Sequence, residues 1–225
     1  MADLQTFEHE TGPDPVAAII WMHGLGADAH DFEPVVPVLD LGPDRPVRFV
    51  FPNAPERPVT INAGMRMRAW YDIAGQSIEH REDEAGIRAA AQQIGSLIQR
   101  EFERGLTANR ILLAGFSQGG AIALFTGLRY PQGLGGIIAL SCYLPLADTL
   151  AAEASADAIR TPIFMAHGEA DNVLPLWIGQ ASRDRLLAAG YQVEWHSYPI
   201  MHTVDPQELM DLRAFLTRRI SPRSC

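Results

Sequence analysis

The stretch Ile111-Leu112-Leu113-Ala114-Gly115-Phe116-Ser117-Gln118-Gly119-Gly120-Ala121-Ile122 decides the fold. Residues 111–115 form a short apolar run without alternation, which predicts a β-strand buried on both faces. Beyond Ser117 the period changes. Ala121, Ile122, Leu124, Phe125 and Leu128 fall at helical spacing, and the pattern stops before Pro131. Ser117 stands at the turn between strand and helix, with Gly115 and Gly119 two residues to either side. Such a turn strains the serine backbone, lifts its Oγ clear of the sheet and crowds the positions two before and two after, where only glycine fits. The helix N-terminus behind it favours negative charge developing on a bound oxygen. A serine that merely caps the helix is the competing reading.

Other elements extend the pattern in both directions. Ala17 to Met22 is a second buried strand and ends in His23-Gly24; Val47 to Phe51 is a third, stopped by Pro52-Asn53-Ala54-Pro55. The segment from Pro55 to Met67 lacks periodicity and is expected to be irregular. Glu82 to Glu103 carries Ile87, Ala91, Ile94 and Ile98 at helical spacing, with Gly105 as a stop. Downstream lie strands at Gly136–Leu140, Ile163–His167 and Val193–Tyr198. A helix runs from Leu176 to Ala189 before Gly190, and Pro206 opens a last helix with Leu209, Leu212, Phe215 and Leu216 on one face. Apolar strands alternating with helices predict a single-domain α/β fold over residues 1–225: a mostly parallel central sheet, helices on both faces and no large lid domain. Ligand sites in such sheets lie beyond the carboxyl ends of the strands.

A chain of 225 residues, 47% hydrophobic and 20% charged, is long enough to bury a full core. Its net charge of −9 disfavours nucleic acid as a partner. Cys142 and Cys225 have no metal-ligand spacing and make no disulfide framework. Met1-Ala2-Asp3-Leu4 opens no signal peptide, no apolar run approaches the roughly 20 residues that span a bilayer, and Cys225 is outside a prenylation pattern. The expectation is a cytoplasmic protein without stable membrane insertion.

A serine hydroxyl needs a base. In folds with a nucleophile on such a turn, the chain order is Ser, then Asp or Glu, then His. Three histidines follow Ser117. His167 closes a strand ahead of every well-placed acid, and His196 lies within the last strand. His202 sits in the loop after that strand, where it can reach over the sheet edge, and is read as the base. Gly168-Glu169-Ala170-Asp171 offers two candidate acids. Asp171 has a helix-capping alternative, and Glu169 is the other possible orienter. The glycine-rich turn His23-Gly24-Leu25-Gly26 can aim a backbone N–H at the substrate oxygen. By position that N–H belongs to Leu25, and the second donor is the N–H of Gln118.

Taken together, these residues resemble the phospholipase/carboxylesterase family, which includes the acyl-protein thioesterases. The resemblance covers nearly the whole chain and rests on His23-Gly24-Leu25-Gly26, Pro52-Asn53-Ala54-Pro55, Arg68-Ala69-Trp70-Tyr71-Asp72-Ile73, Gly115-Phe116-Ser117-Gln118-Gly119-Gly120, His167-Gly168 with Asp171, and His202. It implies an α/β-hydrolase fold with Ser117, Asp171 and His202 as a triad and Leu25 and Gln118 as oxyanion-hole residues. It also implies an acyl-binding groove near Ile61, Trp70, Ile73 and Val173, to which Met65, Tyr71 and Trp177 could add. The expected activity is hydrolysis of short- to medium-chain carboxylic esters. Acyl-protein thioesterase or lysophospholipase activity is the alternative, and a non-catalytic binding protein is the reading of another class. No cofactor or metal is implied, the substrate is a small-molecule or lipid ester, and homodimers occur in the family. The sequence departs from the family pattern at Ala27, at Cys142 after Ser141, and in Tyr198-Pro199-Ile200-Met201, which lacks a glycine just before the histidine.

Overall fold

Apolar strands with no polar face can only be satisfied inside a two-sided sheet, and that requirement organises the molecule. The computed structural model describes residues 4–75 and 82–223; Met1-Ala2-Asp3 and Cys225 lie outside them. In chain order the elements are β1 (Thr6–Glu10), β2 (Ala17–Met22), β3 (Val47–Pro52), β4 (Glu56–Val59), β5 (Met65–Arg68), α1 (Glu84–Glu103), β6 (Ile111–Phe116), α2 (Gln118–Arg129), β7 (Gly136–Leu140), α3 (Leu150–Glu153), β8 (Ile163–Gly168), α4 (Leu176–Ala188), β9 (Val193–Tyr198) and α5 (Pro206–Arg219). Seven strands form one sheet in the order β1-β3-β2-β6-β7-β8-β9. Strands β3 through β9 of that sheet are parallel, and β1 pairs antiparallel with β3 at the edge.

Side chains alternate between the two faces, as strand geometry requires. Ile20 and Met22 of β2, Leu113 of β6 and Ile137 of β7 pack into one core with Ile87, Ile94 and Ile98 of α1 and most of α2. Their neighbours Ile19, Trp21, Leu112 and Ile138 enter a second core closed by Leu212, Phe215 and Leu216 of α5 and by Phe32, Val36 and Leu39. Helix α2 is buried along almost its whole length. Glycine ends two helices in the left-handed region, Gly105 after α1 and Gly190 after α4.

Two segments differ from the sequence expectation. Residues 55–67 are not irregular: β4 and β5 form an antiparallel ribbon with Glu56 opposite Arg68 and Val59 opposite Met65. Its exposed side chains and Pro58 hide the strand period, and Pro is tolerated there because the ribbon joins no larger sheet. The edge strand β1 was not expected either, because Thr6-Phe7-Glu8-His9-Glu10 has one apolar residue in five. Among the described residues no helix is long and apolar enough to cross a membrane.

Candidate active site

The turn between β6 and α2 carries Ser117 at φ 55° and ψ −119°, a conformation L-residues rarely adopt. The Ser117 N–H donates to the Leu140 carbonyl of β7 at 2.8 Å, which ties the strained residue to the sheet. The flanking glycines are steric necessities. A Cβ at position 115 would meet the Gly119 backbone at 2.2 Å, and one at position 119 would meet the Met22 carbonyl oxygen at 2.2 Å. Position 120 is also closed, by Cys142 at 2.9 Å. Cys142 lies two residues beyond the end of β7. It is fully buried, and burial pushes its thiol far above the ordinary range, so it is a packing residue and not a nucleophile.

His202 reaches the cleft from the loop after β9. Its Nδ1 lies 2.6 Å from Asp171 Oδ2, and its ring packs on Phe116, the residue before Ser117, at 4.7 Å between centroids. Because a carboxylate can only accept, Nδ1 carries the proton and Nε2 holds the lone pair. The buried Asp171 is held on its other side as well: Oδ1 accepts from the N–H groups of Val173 and Leu174 at 2.9 and 2.8 Å. It caps that short turn and not α4, whose N-cap residue is Pro175 with no side-chain bond. Glu169 is directed elsewhere, accepting from Ser197 Oγ at 2.8 Å.

His167 lies beneath this pair. Its Nε2–H donates to the Leu174 carbonyl at 2.7 Å and stands 3.5 Å from Asp171 Oδ2; burial pulls its pKa down. It is a neutral support for the turn that holds Asp171. His196 stacks between Phe164 and Tyr198 within the sheet. The loop before His202 packs closely on Gly168, where a Cβ would meet the Met201 and Ile200 carbonyl oxygens at 2.3 and 2.6 Å. After the loop, Asp205 caps α5 by accepting from Gln207 and Glu208 N–H.

On the opposite wall, His23 is buried at the end of β2. Its Nε2 accepts from Ala54 N–H at 3.0 Å, so Nδ1 is protonated and faces the Gly24 carbonyl at 2.7 Å. Burial lowers the His23 pKa, in keeping with a neutral ring. This contact explains why Pro52-Asn53-Ala54-Pro55 accompanies His23-Gly24 in the sequence, a link that the linear pattern did not reveal. The N–H groups of Leu25 and Gln118 have no acceptor among the described residues, which leaves both available to an oxygen in the cleft. The Gln118 side chain is engaged behind the wall: Oε1 accepts from Trp70 N–H and its amide donates to the Tyr71 carbonyl, both at 2.8 Å.

Ser117, His202, Leu25 and Gln118 open on one cleft of about 760 Å³. Ile61, Ile73 and Val173 line it, joined by Tyr71, Trp177 and Ile178. Ile61 is positioned by its N–H to the Ile73 carbonyl at 2.9 Å, and the adjacent Thr60 is held by the Asp72 carboxylate. Val173 and Trp177 are 64% and 63% exposed on the rim. Trp70 differs from the sequence expectation. It is 0% exposed and lies behind the wall, its indole N–H donating to the His23 carbonyl at 2.9 Å. A buried tryptophan needs a partner for that N–H, and here the partner is backbone rather than a ligand.

A mostly parallel sheet with a strained serine on a strand-to-helix turn, beside a histidine–carboxylate pair, defines the class of α/β hydrolases. Within that class the chain belongs to the phospholipase/carboxylesterase family, whose model matches residues 8–220. It is similar to acyl-protein thioesterase 1 of Gibberella zeae, with 39% identity over 217 residues covering 92% of each chain. It is also similar to acyl-protein thioesterase 1 of Neurospora crassa, with 41% identity over 218 residues covering 91% of this chain and 87% of the relative. Among solved structures it is similar to Arabidopsis thaliana SOBER1, with TM-score 0.85 and 30% identity over 90% of this chain and 98% of that one. Zea mays acyl-protein thioesterase 2 gives TM-score 0.83 and 30% identity over 96% and 99%. The protein is an ester or thioester hydrolase.

Proposed function

We propose that the protein is an acyl-protein thioesterase that cleaves acyl thioesters, and carboxylic esters with them, through Ser117, His202 and Asp171. The observation that carries the catalytic reading is the 2.6 Å contact from His202 Nδ1 to Asp171, which leaves the Nε2 lone pair for the cleft that Ser117 shares. The expectation of a short- to medium-chain carboxylesterase yields to the thioesterase alternative because the relatives at 39% and 41% identity carry that name. An apolar cleft wall of Ile61, Ile73, Val173, Trp177 and Ile178 suits a long acyl chain.

In the mechanism, His202 Nε2 takes the Ser117 proton as Oγ attacks the acyl carbonyl. The resulting oxyanion accepts from the Leu25 and Gln118 N–H groups. Collapse of the tetrahedral intermediate expels the thiolate or alkoxide, which the imidazolium protonates. Water then enters, gives a proton to Nε2 and attacks the acyl-enzyme, and the carboxylic acid leaves as Ser117 regains its proton. Asp171 fixes the imidazole tautomer throughout.

The test is Ser117→Ala. The variant should lose fluorophosphonate labelling, and turnover of an S-acyl peptide should fall by about 10⁴-fold or more. Full labelling of the variant rejects Ser117 as nucleophile. For the substrate class, p-nitrophenyl esters of rising chain length should give a kcat/KM optimum above C4; an optimum at C4 or below restores the simple carboxylesterase reading.

A further inference from the structure

Trp70 touches nothing in the cleft, yet it bonds to both segments that present the free N–H groups. Its indole Nε1–H donates to the His23 carbonyl at 2.9 Å, two residues before Leu25. Its backbone N–H donates to Gln118 Oε1 at 2.8 Å. The next residue, Tyr71, returns a carbonyl to the Gln118 amide at 2.8 Å. The turn after β2 and the start of α2 are thus cross-linked through one fully buried residue, by its indole on one side and its backbone N–H on the other.

We propose that Trp70 is a positioning residue that sets the spacing between the Leu25 and Gln118 N–H groups, through its paired bonds to the His23 carbonyl and the Gln118 side chain. The inference rests on the proposed oxyanion hole. Two donors act together only if both stand about 2.7–3.1 Å from the oxygen, and an oxyanion lies closer to them than the ground-state carbonyl does. A strut that fixes their separation therefore acts on the transition state more than on substrate binding. His23 completes the frame. Its imidazole ties the Gly24 carbonyl to Ala54, just beyond β3, so the peptide next to the carbonyl that Trp70 holds is fixed as well. The ring centroids of His23 and Trp70 are 5.3 Å apart, so the two side chains also pack on each other.

The experiment is Trp70→Phe, which keeps an aromatic ring but deletes the indole N–H. With an S-acyl peptide, kcat should fall about 10- to 100-fold while KM changes less than about threefold. The inhibition constant of a trifluoromethyl ketone, which forms a tetrahedral adduct on serine, should rise by the same factor as kcat falls. A Trp70→Phe protein that is folded and retains wild-type kcat and ketone affinity overturns the proposal. So does a loss confined to KM. Should that variant not fold, Gln118→Met removes the amide bonds while keeping the Gln118 backbone N–H, and the same kinetic split is expected of it; unchanged kcat there counts equally against the strut. The wild-type control separates this inference from the one beneath it. If fluorophosphonate does not label wild-type Ser117, the catalytic reading fails and the strut with it. Normal wild-type labelling with an unaffected Trp70→Phe variant rejects the strut alone.

Discussion

Individual residues at the site answer to steric and hydrogen-bonding demands of different legibility. Gly115 and Gly119 could be read from the sequence because the turn that needs them is local, and the close approaches of 2.2 Å bear that reading out. The demand on Gly168 is not local. The backbone it must clear belongs to residues 200 and 201, and nothing in the linear order brings them together. Gly168→Ala should push the loop that carries His202 outward and lower kcat by about 100-fold, the scale associated with a displacement near 1 Å in a reacting group. Steady-state kinetics with the Tm measured in parallel checks this, and an unchanged kcat rejects the claimed fit. Trp70 was misplaced from sequence for a related reason. A motif places a residue near a site but does not say on which side of the wall its side chain lies.

At the scale of elements, legibility followed burial. Strands β2, β7 and β8 are wholly buried, and β6 all but its last residue, and they were visible as apolar runs, whereas β1, β4 and β5 are partly exposed and carry charges; β9 is the exception, half-buried yet legible. Helix α5 carries a further consequence. Glu208, at the third position after Asp205, lies inside the protein with Oε1 unpartnered, and burial pushes its pKa up to about 8. An unfolded glutamate titrates near roughly 4.3. Between those values the native state keeps a proton that the unfolded chain has released, so stability declines as pH rises through the window, by at most about 1.4 kcal/mol per unit. Glutamine suits the same capping position without titrating. The Tm of Glu208→Gln should therefore gain on that of the wild type from pH 5 to pH 8. A constant difference between the two would exclude the buried acid as the cause.

For the molecule as a whole, the two-sided core follows from the pattern of strands and helices alone. The cross-links that orient the site are long-range; the pairing of residues 171 and 202 was expected from the order of the triad residues, whereas those joining 23 to 54 and 70 to 118 are disclosed only by the folded chain. Global stability and the site meet at Ser117. A non-glycine residue at φ 55° and ψ −119° costs about 1–3 kcal/mol, and the rest of the fold must hold it there. Ser117→Gly should thus yield an inactive protein that melts a few degrees higher, the strain relieved exceeding the roughly 0.5–1 kcal/mol that glycine adds in unfolded-chain entropy; calorimetry at one pH measures the difference, and a lower Tm means that the strain at this turn is smaller than that entropic cost. Selection for thermal robustness alone would steer this position towards glycine. Serine in its place means that any variant library screened only for heat resistance would discard the proposed nucleophile first.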